Sequence, residues 1–584
     1  MLTVNYYNDF FEIGQQKINF SFYELSLPDD DPVYTLKKVM EDLNFSGLLA
    51  NCSDKGRTGY NPIMMYAVIT YANMRGIRSI DRIVDLCERD IAFIWLTQGR
   101  KPKRDAFYDF KSKKLTSDIL DNLNYQFMRR LQKEGFVTLK ELFIDGTKIE
   151  ANANRYTFVW RGSINYHLAG LLDSIDKLYS DYNSFLQDNG FGEKYEFGNA
   201  QMFVIDGIDK VRDIIEKNRK RKITKHKKLS NNRIIEIDNC SPLEILKLQK
   251  NLMTIADGEG IVFVNGKGKR KPKLQQLYEE LEHCGQRLMG YKECFEIMGK
   301  DRNSYSKTDL EATFMRMKED HMLNGQLKPA YNVQIAVENY FIVHSYVSND
   351  RTDYNTLIPV LEKHKEAFGE VLEEVTADSG YCSEKNLLYL KENKIDSYIK
   401  LQDHEKRKTR AYSKDIGKYY NMKTMVFEDE QVYICHDGRE LRHINTEKKE
   451  QNGYTQTYEV YGCSDCSGCE HKSKCLYKYN PDKDIDKNKV MKINEVWEEL
   501  REKSHANIQS EKGILKRQTR SIQTEGHFGD IKENEDFRRF NYRSSDKVYK
   551  EFMLFAIGRN INKYHRFLYA KLKKFEGKLQ EKIA

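Results

Sequence analysis

The sequence has little of what disordered, secreted or membrane-spanning proteins require. Only 9 of its 584 residues are proline, and no long Ser/Gly tract occurs, which excludes large disordered regions. The most apolar run, near Ile63–Met74, is well short of the roughly 20 residues that span a bilayer. No basic segment followed by an apolar core opens the chain, so we expect no signal peptide. These absences predict a cytoplasmic protein with no membrane partner.

Two further absences narrow the class of protein. No Gly-x₄-Gly-Lys-Ser/Thr phosphate loop and no repeat of fixed period occurs, which excludes a nucleotide-driven machine and a repeat array. Hydrophobic residues make up 40% of the chain and charged residues 32%, as is typical of soluble globular proteins. A chain of 584 residues exceeds the size of one core, so we expect three or four domains.

Positive charge is present in a modest excess, and its clustering is more informative than its sum. The net charge is +8 at pH 7. Basic residues concentrate in Arg100-Lys101-Pro102-Lys103-Arg104, between Lys217 and Lys228, and between Lys267 and Lys273. Clusters of this kind suit a phosphate backbone, although any single one is equally compatible with a solvated face. Three clusters in one chain favour nucleic acid as a partner.

Residues 60–135 carry the pattern of several helices. Asn61-Pro62 is a good helix start, Ser79 can cap a second helix, and a third follows Ser117. Apolar residues recur at helical spacing after each start, and Gly76 and Gly135 separate or end the helices. The order of helix, glycine turn, helix and basic loop is compatible with a helix-turn-helix DNA-binding domain. A small helical bundle without a DNA role is the alternative.

The pattern then changes to that of an α/β fold. Leu142–Thr147 and Glu374–Tyr381 each read as a buried strand that ends in an acid near a glycine. Tyr331–Val337 and Phe341–Val347 read as a strand pair, and Asp396–Leu401 as one more strand, with helices at Tyr354–Phe368 and Glu384–Asn393. With two inserts removed, this order predicts an α/β layer fold with a mixed sheet. Sheet folds of this kind place their sites at strand ends.

Three acids are candidates for a metal site. Asp145 and Asp378 follow the two predicted strands, and Glu525 lies on a late predicted helix. Cleavage of a phosphodiester is served by two metal ions roughly 3.5–4 Å apart, and two or three carboxylates suffice for Mg²⁺. The glycine beside each Asp would let substrate or metal-bound water approach closely. Either Asp taken alone is more often a simple turn acid.

The segment around Glu525 carries further unusual features. Ile522, Glu525, Phe528 and Lys532 stand at the spacing of one helix face, which places an acid and an ammonium on an apolar stripe. Two glycines within this helix cost about 1 kcal/mol each, which suggests close approach of another element or of DNA, with a bent loop as the alternative. Downstream, basic and aromatic residues suited to a strand with unpaired bases follow, namely Phe537, Arg538, Arg539, Phe540 and Arg543.

At these residues the chain resembles the DDE transposases of bacterial insertion sequences, in the branch with an all-helical N-terminal domain. The resemblance rests on four stretches: Gly56-Arg57-Thr58-Gly59-Tyr60-Asn61-Pro62, Ile144-Asp145-Gly146-Thr147, Thr376-Ala377-Asp378-Ser379-Gly380-Tyr381 and Glu525-Gly526-His527-Phe528-Gly529-Asp530-Ile531-Lys532. Phe537-Arg538-Arg539-Phe540 adds to them. Each stretch alone is weak, but their joint occurrence in this order is specific. The resemblance implies a ribonuclease H-like catalytic domain with Asp145, Asp378 and Glu525 as metal ligands.

One position departs from the pattern of the related transposases. These often carry Tyr and Arg seven and four positions before the catalytic Glu, and Lys seven positions after it. Lys532 fits the last of these, whereas the earlier positions hold Gln518 and Ser521. Arg520, one position away, is a candidate to stand in for the arginine. The departure puts the phosphate-contacting role of this helix face in question, but not the acid.

Four cysteines form a compact group. Cys463, Cys466, Cys469 and Cys475 provide four thiolates within thirteen positions. Tetrahedral Zn²⁺ takes four such ligands, and the CxxC step is a usual chelating unit. The group lacks the x₃-Cys-Pro ending of a common iron–sulfur motif. We favour structural Zn²⁺ over an iron–sulfur cluster or free thiols, with Cys435 as a possible replacement ligand. The odd total of 11 cysteines argues against a disulfide framework.

These observations predict the following domain organisation: a helical N-terminal DNA-binding domain at 1–138, a catalytic domain formed by 139–160, 305–402 and 505–565, a helical insert at 161–304, a mixed insert with the cysteines at 403–504, and a basic C-terminal tail at 566–584.

The predicted function is that of a DNA transposase. It would cleave and transfer strands at the ends of an insertion sequence with two Mg²⁺ ions, or Mn²⁺ in their place. The expected partners are the terminal inverted repeats, target DNA and a second copy of the chain, in a cytoplasmic, nucleoid-associated setting. Predicted catalytic residues are Asp145, Asp378, Glu525 and Lys532. Predicted DNA contacts are Arg100, Lys101, Lys103, Arg104, Arg520, Arg538, Arg539 and Arg543.

Two alternatives stay open at this stage. A nuclease of the same fold would hydrolyse DNA without joining it. A DNA-binding regulator would carry a zinc module and an inactive sheet domain, but the presence of all three acids argues against it. Flanking inverted repeats would favour the transposase.

Overall fold

A computed structural model describes residues 19–20, 23–24, 27–52, 59–200, 242–266, 268–299, 302–317, 327–427, 430–451 and 454–583. The basic cluster between Lys217 and Lys228, the stretch Gly56-Arg57-Thr58 and Lys267 lie outside these residues. The chain forms two compact units. The first joins Met1–Ile149 to Asn332–Ala584, and the second is Glu150–Tyr331.

The first unit begins with a helical region, as predicted. After the short strands β1 (Asn19–Phe20) and β2 (Tyr23–Glu24), it contains the helices α1 (Pro32–Glu41), α2 (Ser46–Ala50), α3 (Pro62–Met74), α4 (Ile80–Arg89), α5 (Ile91–Thr97), α6 (Arg104–Asp109) and α7 (Ser117–Lys133). A π-helical turn, Phe110–Lys114, connects α6 to α7. Asn61 caps α3 as expected, whereas Thr116 rather than Ser117 caps α7. Every residue of α3 is buried, so this helix is the centre of the region's core.

Strand β3 (Glu141–Glu150) follows, and the chain then forms the second unit, which is mainly helical. Its elements are β4 (Phe158–Trp160), α8 (Arg161–Asp188), α9 (Phe191–Lys194), α10 (Pro242–Glu259), α11 (Lys273–Met298), β5 (Ser304–Ser306) and β6 (Thr313–Arg316). Leucines and isoleucines of α8, α10 and α11 share one apolar core, which includes Leu171, Ile255 and Leu281. The predicted helical insert, 161–304, falls within this unit.

The central sheet has the mixed order that the sequence predicted. Its remaining elements are the hairpin β7 (Leu327–Glu338) and β8 (Phe341–Ser348), helix α12 (Leu357–Phe368), β9 (Glu374–Ala377), helix α13 (Glu384–Glu392) and β10 (Asp396–Ile399). In the first unit the strands lie in the order β8-β7-β3-β9-β10. β7 and β8 are antiparallel, whereas β3, β9 and β10 are parallel. Together with the helical N-terminal region, this arrangement is consistent with a ribonuclease H-like fold.

A second sheet carries the cysteines. After the short helices α14 (His404–Arg407) and α15 (Arg410–Ser413), an antiparallel sheet forms from β11 (Lys423–Phe427), β12 (Glu430–Ile434), β13 (Glu440–Gln451), β14 (Tyr454–Cys463) and β15 (Val490–Ile493), with α16 (Lys472–Cys475) before β15. The buried Glu384 of α13 joins this insert to the central sheet. Its carboxylate accepts hydrogen bonds from Tyr454, Gln456 and Asn494 at 2.7–3.0 Å.

Helices complete the first unit. They are α17 (Glu495–Gln509), α18 (Glu511–Arg520), α19 (Gly526–Gly529) and α20 (Ser545–Ile583), and π-helical turns at Ser521–Glu525 and Asp530–Asn534 flank α19. The predicted basic tail, 566–584, coincides with the second half of α20. This helix crosses α3 closely, because a Cβ at Gly558 would lie 2.8 Å from backbone atoms of Asn73 and Met74. No helix among the described residues is apolar enough over sufficient length to cross a membrane.

Candidate active site

Two of the three predicted acids lie side by side in the central sheet. β3 and β9 pair in parallel, and the last paired residues are Ile144 and Ala377. Asp145 and Asp378 are therefore the next residues on two neighbouring strands. Asp378 follows the end of β9, as predicted. Asp145 does not end its strand, since β3 continues to Glu150, so the strand-end prediction is wrong for this residue.

Asp145 is buried and fully engaged. One of its carboxylate oxygens accepts a hydrogen bond from the backbone N–H of Gly146 at 2.8 Å. The other faces the guanidinium of Arg520 at 3.0 Å and the hydroxyl of Thr524 at 3.3 Å. A buried carboxylate requires such partners because burial without them is costly. The sequence reasoning gave no role to Thr524.

Glu525 is linked to Asp145 through the same guanidinium. The Nη2 of Arg520 lies 3.3 Å from Glu525 Oε1, while its Nη1 contacts Asp145. The hydroxyl of Ser521 donates to Glu525 Oε2 at 2.8 Å. Arg520 thus brings two of the predicted metal ligands onto one positive charge. The Glu525 side chain itself is more than half exposed.

A π-helical turn accounts for the displaced arginine. Residues Ser521–Glu525 form this turn, in which residues five apart, rather than four, lie on one face. Arg520 precedes Glu525 by five positions and contacts it directly. The turn therefore places Arg520 on the side of Glu525 where an arginine four positions earlier would stand in an α-helix. Arg520 thus reaches Glu525 despite its shift of one position in the sequence.

The predicted apolar stripe on this helix is wrong, because π-helical turns at Ser521–Glu525 and Asp530–Asn534 change the spacing of its residues. Ile522 is 61% exposed, whereas Phe528 and Lys532 are buried. Each π-helical turn adds a residue to the spiral, so the four positions do not share one face. The backbone carbonyl of Lys532 accepts a hydrogen bond from Arg538 at 3.1 Å. The structure thus buries Lys532 beside the loop that follows the helix.

Asp378 has a more open environment than Asp145. It is exposed, and one carboxylate oxygen accepts a hydrogen bond from the backbone N–H of Ser379 at 2.7 Å. The buried hydroxyl of Tyr381 lies close to the acids. Burial, followed by the charges of Asp353, Asp145 and Asp378, raises the pKa of Tyr381 well above its ordinary value. Asp353 is thus a fourth carboxylate at this corner, which sequence reasoning missed.

The glycines beside the two Asp residues do not open the site to substrate, contrary to expectation. A Cβ at Gly146 would collide with the side chain of Gln334. A Cβ at Gly380 would lie 3.0 Å from a carboxylate oxygen of Asp353. Close packing by the protein itself therefore explains both glycines. The available signal in the sequence was the pair of amides, Asn332 and Gln334, in an otherwise apolar strand.

The two glycines near Glu525 behave differently. No described atom lies within 4 Å of a Cβ built at Gly526 or Gly529. Gly526 borders a cavity of about 430 Å³ in the first unit, whose lining includes Tyr340, His527, Lys563 and Arg566. Burial, with the neighbouring charges of Arg566 and Arg559, lowers the pKa of Lys563. Close approach of another element, which the sequence suggested for Gly526 and Gly529, is thus not seen among the described residues, and close approach of DNA stays a prediction.

The aromatic residues predicted to stack on bases are buried instead. Phe537 and Phe540 are 0% and 1% exposed, and the guanidinium of Arg78 lies 3.8 Å from the centre of the Phe537 ring. They pack in the core because α20 supplies further aromatic rings. The nearby cations Arg538, Arg539 and Arg543 are exposed. Arg538 pairs with Glu533 at 2.6 Å.

The predicted basic loop is on the surface of the first unit. Arg100, Lys101, Lys103 and Arg104 are all exposed. Lys103 lies 3.7 Å from Glu88, and Arg104 lies 3.3 Å from Asp81. Arg104 begins α6, which the sequence had not predicted. Exposed pairs of this kind contribute little to stability, so these cations can exchange partners at low cost.

The predicted cysteines lie close together with Cys435. Cys463 and Cys466 are buried in the small core of the second sheet, and Cys435 packs against it. Burial, with the neighbouring Cys466 and Cys435, raises the pKa of Cys463 to about 11. Burial also raises the pKa of Cys475, to which Cys435, Cys466 and Cys469 contribute. The backbone N–H of Lys489 donates to the sulfur of Cys466 at 3.3 Å.

Neither group of residues forms a complete metal site by geometry. Within the described part of the chain, no three or more His, Cys, Asp or Glu side chains are arranged to hold a metal ion. The cysteines there are also free of disulfide bonds. Metal binding by the acids and by the thiols therefore stays a prediction.

Two family models match parts of this chain. One, described as "Transposase DDE domain", matches residues 434–565, and the other, described as "Transposase domain (DUF772)", matches residues 21–113. The first segment contains Glu525 and the four grouped cysteines, and the second contains the basic loop. Asp145 and Asp378 lie outside both. The chain matches no curated protein and no solved structure. The two matches confirm the resemblance to a DDE transposase of an insertion sequence.

Proposed function

We propose, from the two transposase domains that the chain matches, that it catalyses metal-dependent strand cleavage and strand transfer at the ends of an insertion sequence. The observation that supports this proposal is the placement of the acids Asp145, Asp378 and Glu525. The sheet sets the two Asp residues on neighbouring strands, and Arg520 links Asp145 to Glu525. The transposase family implies DNA as the partner.

The donor set fits a hard divalent cation. Carboxylate oxygens are the ligands that Mg²⁺ and Mn²⁺ prefer. Asp145 and Glu525 already converge on a positive charge, the guanidinium of Arg520. When bound, two such cations generate a nucleophile at neutral pH and stabilise charge on the phosphodiester oxygens. The role of the chain is to hold these acids in position, with Asp378 exposed toward solvent and Asp145 fixed by Gly146 and Thr524.

DNA contact is proposed for the exposed cations on the first unit. These are Arg100, Lys101, Lys103 and Arg104 in the loop before and at the start of α6, and Arg538, Arg539 and Arg543 after the Glu525 helix. Lys532 is proposed to act near the cleaved phosphate, as the resemblance implies, although its burial gives it less reach than an exposed lysine. Arg520 is proposed to contact phosphate only when it leaves the two carboxylates.

Structural Zn²⁺ is proposed for the cysteine group. Cys463, Cys466, Cys469 and Cys475 have the sequence spacing for such a site, and Cys435 is an alternative ligand. The N–H of Lys489 that faces the Cys466 sulfur is a donor suited to a thiolate. A closed Cys₄ site leaves no position for water, so this metal would stabilise the insert rather than take part in catalysis.

The catalytic role of Asp145 is tested with Asp145→Asn. This substitution removes one negative charge from the cation site, and we expect strand nicking of an end-containing duplex in Mg²⁺ to fall by at least 100-fold, the order seen when a charge-stabilising group is lost. DNA binding in a gel shift should persist. Glu373→Gln is the matched control, because Glu373 is an exposed acid that directly precedes β9. Normal nicking by Asp145→Asn would refute the assignment.

The same assay distinguishes the remaining classes of protein. Addition of a circular target plasmid should yield joined products if the chain is a transposase. Nicked ends without joined products would identify a nuclease. Binding without nicking, in every divalent cation tested, would identify a regulator.

A further inference from the structure

A buried polar network lies behind the two acids of the central sheet. Gln334 of β7 is 0% exposed, and its Nε2 donates to Asn332 at 3.0 Å and to Asp353 at 2.9 Å. Its Oε1 accepts the hydroxyl of Tyr381. The Nδ2 of Asn332 also donates to Asp353, at 2.8 Å. Buried amides of this kind are costly when unpaired, and here each one is satisfied.

This network contacts the backbone next to both acids. We call these two segments, residues 143–147 and 376–381, the two corners of the sheet. Gln334 fills the space where a Cβ at Gly146 would stand, one residue after Asp145. Asp353 fills the space beside Gly380, two residues after Asp378. Because Gln334 and Asp353 are hydrogen-bonded to each other, one network packs against both corners. A displacement of either side chain would therefore change the backbone position next to both acids.

Tyr381 closes the network on the side of β9. It lies three positions after Asp378, and its hydroxyl donates to Gln334. Burial, followed by the charges of Asp353, Asp145 and Asp378, raises the pKa of Tyr381 well above its ordinary value. The hydroxyl thus stays a donor, which fixes the orientation of the Gln334 amide. The acceptor end of Gln334 faces Tyr381, and its donor end faces Asp353.

We propose that Gln334, with Asp353, is a positioning residue that sets the separation of Asp145 and Asp378. The inference rests on the proposed function, in which these two acids hold divalent cations. Gln334 acts through the backbone corners, since its side chain has no exposure and both of its polar atoms are engaged within the network. An amide suits this role, because its oxygen accepts from Tyr381 while its nitrogen donates to Asp353.

The test compares Gln334→Met with Asn560→Leu in the full chain. Asn560 is also a fully buried amide with two backbone partners, at 2.8 Å, but it packs against β8 at Ile342, away from the acids. Amide hydrogen exchange of residues 376–381 and 143–147 is measured together with Mn²⁺ binding by electron paramagnetic resonance. We expect Gln334→Met to speed exchange in both corners by at least 10-fold and to weaken Mn²⁺ binding by at least 10-fold. Asn560→Leu should change neither, although both variants lose thermal stability.

Gln334→Glu adds a second readout, because it keeps the shape but introduces a charge beside Asp353 and removes the amide donor. It should weaken Mn²⁺ binding as Gln334→Met does. Equal Mn²⁺ binding by Gln334→Met and wild type, with weaker binding by Asp145→Asn, would overturn the inference alone. Equal binding by wild type and Asp145→Asn would contradict the proposed function instead.

The contact with Gly146 is tested by a double variant. Gly146→Ala should lower the melting temperature because its methyl group collides with Gln334. Gln334→Ala vacates that space, so the double variant should melt no lower than Gln334→Ala alone. Additive losses would show that the two positions are independent and would count against the network.

Discussion

Arg520 occupies an unusual place, because a single guanidinium serves two acids that are expected to hold metal. Its two terminal nitrogens contact Asp145 at 3.0 Å and Glu525 at 3.3 Å. Its planar guanidinium presents a separate nitrogen to each carboxylate, a fixed geometry that a lysine ammonium lacks. The guanidinium and a divalent cation would compete for the same oxygen atoms. Arg520 would therefore link the stability of the metal-free protein to the proposed affinity for metal.

This competition predicts the behaviour of Arg520→Ala. Without metal, the variant should lose roughly 1–3 kcal/mol of unfolding free energy, because Asp145 is buried and loses a charged partner. Saturating MgCl₂ should raise the melting temperature of the variant more than that of wild type. Lys512→Ala is the control, since Lys512 lies on the same helix but pairs with Glu374. Equal Mg²⁺-dependent shifts in wild type and Arg520→Ala would contradict the competition.

The sequence predicted the roles of several single residues, but not the buried polar network around Gln334. Asp378 after a strand and Asn61 as a helix cap follow from local patterns that tertiary packing leaves intact. The amides Asn332 and Gln334 stand out in their strand, but an amide in a strand gives no sign of its partners, so Gln334 could not be assigned. Arg520 was recognised as a candidate from its proximity to the expected position. Its alignment with Glu525 depends on a π-helical turn, which has no signature in one sequence.

Elements with a regular apolar period were the most predictable. The hairpin of β7 and β8, the helix α12 and the strand β10 lie close to their predicted positions. The Glu525 helix was predicted as a regular α-helix. Its two π-helical turns change the spacing, so the residues predicted to share one face do not do so. The short helices α5 and α6 were missed because few residues carry each of them. Domain limits drawn from the sequence stay predictions.

The second sheet, which carries the grouped cysteines, is predicted to depend on bound zinc for its stability. Its core is small, and the edge strand β11 is exposed throughout, so a metal would replace missing apolar burial. Purified protein should contain about one zinc per chain, and the double change Cys463→Ser with Cys466→Ser should remove it. Elemental analysis measures the metal, and thermal unfolding should show a lower first transition.

Cys87→Ser is the control for this experiment, because Cys87 is buried in α4 and far along the chain from the group. It should retain the zinc. A metal-free wild-type protein with a fully folded second sheet would show that the cysteines are free thiols.

At the scale of the whole molecule, the first unit presents cations from both matched segments. Replacement of Arg100, Lys101, Lys103 and Arg104 by Gln should weaken binding to end DNA and flatten its salt dependence. Each lost phosphate contact should reduce the slope of log K against log salt by about 0.9. Gel shifts over a salt series measure this slope. Gln at the exposed Lys365, Lys391, Lys408 and Lys414 is the charge-matched comparison, and an equal effect there would leave only a non-specific role for the loop.

The burial of α3 under α20 has a consequence for the order in which the protein is made. All residues of α3 are buried, and the close crossing at Gly558 shows that α20 is one of the elements that cover it. A ribosome delivers α3 long before α20, as it delivers β3 long before β7 and β9. Through most of its synthesis the nascent chain therefore carries an apolar helix that lacks part of its final cover, and exposed apolar surface of this kind is prone to aggregation. The basic loop and the acids reach their final positions together only after residue 558 has emerged, so the proposed cleavage of DNA requires a finished chain.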